Sequence, residues 1–153
     1  VVRGSYLFKY EAALNDGRKF QNVNPLIGWS EHQEVVSGVG VEYNGLSDTV
    51  FSFEINNSNI GNHSRDLLPD ENEIGFIGQV RWTGLNDLLN IYGAFNQLSG
   101  EKSTISTLFA EYKLTDNVKL DARIIVYDGT SSSDFLYAFK DQDVIKGSIK
   151  YSF

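Results

Sequence analysis

The chain has 153 residues, the size of one domain, and its 41% hydrophobic and 22% charged residues with only 2 prolines exclude a disordered tail and predict a single folded unit spanning residues 1–153. Lys and Arg number 13 against 20 Asp and Glu, a formal charge of -7, so the phosphate-neutralising surface of a nucleic-acid binder is missing and nucleic acid is excluded as a partner. Cys is absent, which removes disulfide frameworks, thiolate metal sites and cysteine nucleophiles; no apolar run reaches the roughly 20 residues of a membrane-crossing helix.

Residues 2–14 place Val2, Gly4, Tyr6, Phe8, Tyr10, Ala12 and Leu14 against Arg3, Ser5, Leu7, Lys9, Glu11 and Ala13. A period of two predicts a strand. Residues 34–43 repeat it, with Val35, Ser37, Val39, Val41 and Tyr43 opposing Glu34, Val36, Gly38, Gly40 and Glu42. Residues 49–57 set Thr49, Phe51, Phe53 and Ile55 against Val50, Ser52, Glu54 and Asn56, and residues 73–82 set Ile74, Phe76, Gly78, Val80 and Trp82 against Gln79 and Arg81. Residues 88–96, 104–114, 118–127 and 144–153 bring the expected strands to about eight, with no helix among them. The chain has no Met and starts inside an alternating segment, so we expect a mature or truncated form.

The connections alternate in length. Residues 44–48, 83–87 and 115–117 are rich in Asn, Asp, Gly and Thr, which predicts tight turns. Residues 15–33, 57–72, 97–103 and 128–143 are longer and polar. Successive hairpins of an up-and-down sheet turn at opposite ends, so the tight turns gather at one end and the long loops at the other, as in outer-membrane barrels.

A soluble barrel also alternates, with its charges outward. Here the apolar face of every expected strand is free of charge, whereas Arg3, Lys9, Glu11, Glu42, Glu54, Arg81, Glu111, Lys113, Lys119, Asp121, Arg123, Lys146 and Lys150 fall on the other. Lipid demands such purity, since Lys or Arg at the bilayer midplane costs about 2–4 kcal/mol. Tyr43, Trp82, Tyr112, Tyr151 and Phe153 fall near the turn end and Tyr10 and Phe95 towards the loops, the places of two aromatic girdles. The expected fold is therefore all-β: an antiparallel up-and-down transmembrane β-barrel, either a small closed barrel or the C-terminal segment of a larger one. The charged residues would line its lumen, or pack as ion pairs in a small barrel. Expected surroundings are outer-membrane lipid and lipopolysaccharide, with long loops extracellular and both termini periplasmic.

Tyr112-Lys113-Leu114-Thr115-Asp116, Tyr127-Asp128-Gly129, then Phe135, Phe139, Asp141 and Asp143, then Tyr151-Ser152-Phe153 resemble the end of an uncharacterised proteobacterial outer-membrane family, a domain of unknown function. The resemblance is closest over residues 108–153; the chain departs from it at Phe135-Leu136-Tyr137-Ala138-Phe139, where a Gly is expected after the first aromatic. It implies a large barrel serving transport or export, in company with an inner-membrane permease and a periplasmic lipid carrier. Ile149, Tyr151 and Phe153 look like the terminal signal read by the barrel-insertion machinery.

The sequence offers little catalytic chemistry. His32 and His63 are the two histidines, each beside carboxylates whose positions alternate in direction on an extended chain, so no triad is predicted. The loop acids Asp66, Asp70, Glu71, Glu73, Asp134, Asp141 and Asp143 lack calcium-loop spacing, and they are read as solvated. No catalytic residue, metal or cofactor is expected. A wall for transport, without chemistry of its own, is the expected role; a complete small barrel that binds through its extracellular loops is the alternative.

Overall fold

The computed structural model describes residues 1–97, 103–129 and 135–152. They form one antiparallel sheet in which nine strands follow one another in chain order: β1 (Val2–Arg3), β2 (Tyr6–Gln21), β3 (Trp29–Leu46), β4 (Thr49–Ile60), β5 (Asn72–Gly84), β6 (Leu89–Gln97), β7 (Thr104–Lys113), β8 (Val118–Asp128) and β9 (Val144–Tyr151). A 3₁₀ turn, Phe135–Phe139, lies between β8 and β9. The sheet is not closed among the described residues: β1 and β9 are its two edges.

All eight expected strands are present, with two corrections. The first expected strand breaks at Gly4, whose φ of 61° turns the chain back so that Val2 pairs with Leu7 and Arg3 with Tyr6. Directly opposed residues of an antiparallel pair share a face, so Arg3 stands with the apolar row and Val2 with the polar one, the reverse of the expectation. The second correction is that residues 15–33 are not one loop. β2 runs to Gln21 and β3 begins at Trp29, with a register shift between Asn15 and Arg18. Paired polar backbone needs no apolar side chain to be stable, so alternation of hydrophobicity misses it.

Turn chemistry follows the sequence. Asp48 adopts φ 61°, and Leu85, Asn86 and Asp87 adopt φ 55°, 55° and 64°. Thr115 closes the β7–β8 turn by accepting at Oγ1 from the Val118 amide (3.0 Å). These turns lie at one end and the connections after β2, β4, β6 and β8 at the other. Tyr43 and Trp82, at the turn end, lie over Gly45 and Gly84, whose missing side chains leave room for the rings. Tyr10 does not reach the loop end: because β2 is longer than expected, it pairs at mid-strand with Val39 in the row of Ile55 and Phe76. Phe153 lies outside the described residues, while Ile149 and Tyr151 pair with Leu120 and Val118 on the apolar face.

The register joins the apolar positions into one surface. Phe8, Val41, Phe53, Gly78, Phe95, Ser106 and Val126 form a row across seven strands, and Phe8, Val39, Phe51, Phe53, Phe95, Leu108, Ile124 and Ile149 are all exposed. On β2 and β3 this surface runs from Tyr6 to Leu14 and from Val35 to Tyr43 and then gives way to the Lys19–Glu31 ion pair (3.7 Å). Packed interior exists elsewhere. Phe20, Ile60 and Leu67, 8%, 2% and 4% exposed, form a small cluster where the β4–β5 loop folds onto the β2–β3 loop through an Asn22–Leu67 bridge.

Candidate functional site

Lys9, Glu11, Glu42, Glu54, Arg81, Glu111, Lys113, Lys119, Asp121, Arg123, Lys146 and Lys150 share one face of the sheet by register. Only Arg3, of the residues expected there, stands apart. The mid-strand crevices open on this face: one of about 190 Å³ between Lys9, Glu11, Gly38, Gly40, Glu54 and Asn56, another of about 120 Å³ beside Glu42, Arg81 and Tyr92.

Over β2–β4 the face is acidic. Lys9 Nζ meets Glu42 Oε2 at 3.2 Å, while Glu11 and Glu54 make no ion pair among the described residues. Gly38 and Gly40 make way for larger neighbours: a side chain at Gly38 would run into Asn56 Oδ1, and one at Gly40 would touch the Glu54 stem. At the loop end Glu34 is only 3% exposed. Arg18 and Asn15 donate to its Oε2, the latter at 3.0 Å, and the Ser58 hydroxyl donates to its Oε1 at 2.7 Å. A buried carboxylate is tolerable only with such donors. Sequence reasoning missed this cluster because Arg18 and Asn15 fell in a presumed loop.

Over β7–β9 the face is basic, and its pairing is unusual. Lys113 stands opposite Lys119, Lys119 opposite Lys150, Glu111 opposite Asp121, and Arg123 opposite Lys146. Like charges directly opposed are unfavourable in a sheet. Two are relieved diagonally, by Lys119 to Glu111 (3.1 Å) and Lys150 to Asp121 (3.0 Å), with the Ser148 hydroxyl donating to Asp121 at 2.6 Å. Lys113, Arg123 and Lys146 have no carboxylate within 4.0 Å among the described residues; Arg123 instead lies 5.2 Å from the Phe109 ring centre.

The loop residues form no catalytic array. His32 Nδ1 faces the Gly61 carbonyl (3.3 Å) and His63 Nε2 the Pro69 carbonyl (2.9 Å); no hydroxyl or carboxylate bonds to either ring among the described residues. Of the loop acids, Asp143 accepts from the Tyr127 amide at 3.2 Å, and Asp134 lies outside the described residues. No three His, Asp or Glu side chains among the described residues converge as metal ligands do. Lys140 lies 4.0 Å from the Tyr137 ring centre, and its hydrogen bond to Tyr137 raises its pKa above the ordinary lysine value.

Comparison with protein-family models, curated proteins and solved structures gives no match.

Proposed function

We propose that this chain is the wall of a membrane-spanning β-barrel, its apolar face against lipid and its charged face lining an aqueous route for a substrate across a bacterial outer membrane. The observation that carries the reading is the continuous apolar surface of β2–β9, charged only at its loop-end margin, at Lys19, Glu31 and Asp128. Exposed apolar area on this scale needs a partner, and the run from Tyr6 to Leu14 matches the roughly 9–11 residues of a transmembrane strand. The aromatics Tyr43, Trp82, Tyr112 and Tyr151 at the turn end suit one interfacial girdle. The resemblance of residues 108–153 to an outer-membrane family agrees with this reading, and extends it to an insertion machinery that reads the C-terminal strand and to a permease and carrier as partners. On the same reading the long loops face outward, in contact with lipopolysaccharide, and the tight turns and both termini face the periplasm.

The free edges favour a wall that continues. Backbone groups left unpaired in lipid cost several kcal/mol each, and β1 covers β2 only near Tyr6 and Leu7. The second reading is a complete small barrel with loop-borne binding. It is supported by direction: β2 and β9 run antiparallel, so they could join, and the acidic half would then face the basic half across a packed core.

The test is reconstitution. Urea-unfolded chain diluted into phosphatidylcholine vesicles should insert, gain strand content and become protease-resistant, and bilayer recordings should show current if it lines a water-filled path. A stable closed barrel that never conducts supports the small-barrel reading. A monodisperse fold without lipid or detergent, with Phe51 and Phe53 shielded from water, would overturn both.

A further inference from the structure

One register row of the polar face differs from its neighbours. Arg81 on β5 pairs with Tyr92 on β6, Tyr92 with Phe109 on β7, Phe109 with Arg123 on β8, and Arg123 with Lys146 on β9. Five consecutive strands thus present cation, aromatic, aromatic, cation, cation in a line, with no carboxylate. On the loop side the next row is Gln79, Ala94, Thr107, Ile125 and Val144, without charge. On the turn side the next row holds Glu111 and Asp121, already engaged by Lys119 and Lys150, and Asp48 and Asp87 of the tight turns share a recess with Arg81 but make no ion pair with it among the described residues. Glu42, which shares a crevice with Arg81, is engaged by Lys9.

The rung is costly for a fold to keep without a ligand. Arg123 and Lys146 are direct cross-strand neighbours, where like charges repel, and the two rings stand side by side between that pair and Arg81. An anion between the cations would turn the repulsion into charge-assisted hydrogen bonds. The rings would meanwhile offer flat surface to whatever bridges the two charged stations, which stand three strand spacings apart, about 14 Å.

We propose that this rung is a binding site for an elongated dianion with an unsaturated or ring-shaped body, its acidic groups on Arg81 and on the Arg123–Lys146 pair and its body against Tyr92 and Phe109. The site rests on the reading of the polar face as a water-exposed wall, and it names the substrate class that wall would favour.

The experiment uses the full chain folded in detergent, its strand content checked by circular dichroism, titrated with a fluorescent stilbene dicarboxylate. Saturable binding is expected, weakened about tenfold by Arg123→Gln with Lys146→Gln, and several-fold by Arg81→Gln alone, which leaves the β8–β9 pairing untouched. Tyr92→Leu with Phe109→Leu should also weaken it several-fold. Glu11→Gln, in the acidic half, should change nothing. Absence of saturable binding, or binding indifferent to the Arg123 and Lys146 changes in a folded variant, overturns the site. Sulfate competing as well as the dianion overturns the role of the rings. Failure of vesicle insertion with binding intact would count against the membrane reading and not against the rung.

Discussion

The first three long strands and the last three differ in almost everything except their apolar face. β2, β3 and β4 have 16, 18 and 12 residues, are together acidic on the polar side, and end in a packed cap around Phe20, Ile60 and Leu67. β7, β8 and β9 have 10, 11 and 8 residues, are basic on the polar side, and oppose like charges. The first region satisfies its buried charge internally, by closing Arg18, Asn15 and Ser58 around Glu34. The second leaves Arg123 and Lys146 unanswered by carboxylates. Packed structure is concentrated in one region and unpaired positive charge in the other.

The largest expected effect is the one the halves should share. Val39 on β3 and Leu108 on β7 both stand exposed on the apolar face. On the membrane reading, arginine at either position lowers the stability of the vesicle-folded protein by about 2–4 kcal/mol in urea titrations. A cost at Val39 alone would confine the spanning wall to the first half.

The next effect should separate them. Phe20→Ala or Leu67→Ala opens a cavity in the cap, with an expected cost of about 2–3 kcal/mol, at the low end for core truncations because the cluster is small. It should appear as faster protease cleavage within residues 61–71, with β7–β9 unchanged. Equal loosening of both regions would show that they are not independent.

The smallest concerns the carboxylates. Glu34→Ala strands Arg18 and removes three hydrogen bonds, with an expected loss of about 1–2 kcal/mol in the same titration, since Arg18 retains access to water. Asp121→Ala should cost less, because Lys150 is free to turn to solvent. A larger loss at Asp121 would mean that the basic ladder is held by its acids more tightly than its exposure implies.

The apolar face was legible because Phe51, Phe53, Val39 and Val41 alternate with Ser52, Glu54, Gly38 and Gly40, and successive side chains of a strand point to opposite faces. The turns at Asp48 and at Leu85, Asn86 and Asp87 were legible from residue type. Arg3 was misplaced because the alternation passes through Gly4 without a break, although the backbone reverses there. The Glu34 cluster was hidden because a hydrogen-bonded polar ribbon has no hydrophobic signature. The rung was invisible for another reason. Tyr92 and Phe109 stand out of phase with Ile91 and Leu108, a visible local signal, but their alignment with Arg81, Arg123 and Lys146 depends on the register of four hairpins.

The cap at the loop end has a consequence for exchange with solvent. Loop amides ordinarily trade their hydrogens with water quickly, because opening them breaks few contacts. Here the amides of Val23, Ile60, Gly61 and Leu68 donate to carbonyls of Asp66, Glu71, Gln33 and Gln21 at 2.7, 2.9, 2.8 and 2.9 Å, around side chains that exclude water. Releasing Val23 or Leu68 requires the β4–β5 loop to lift from the end of β2 and the β2–β3 loop, and the Ile60 and Gly61 bonds close the base of that same loop. These amides should therefore retain deuterium as a group, opening and closing together, an island of slow exchange set among loop residues.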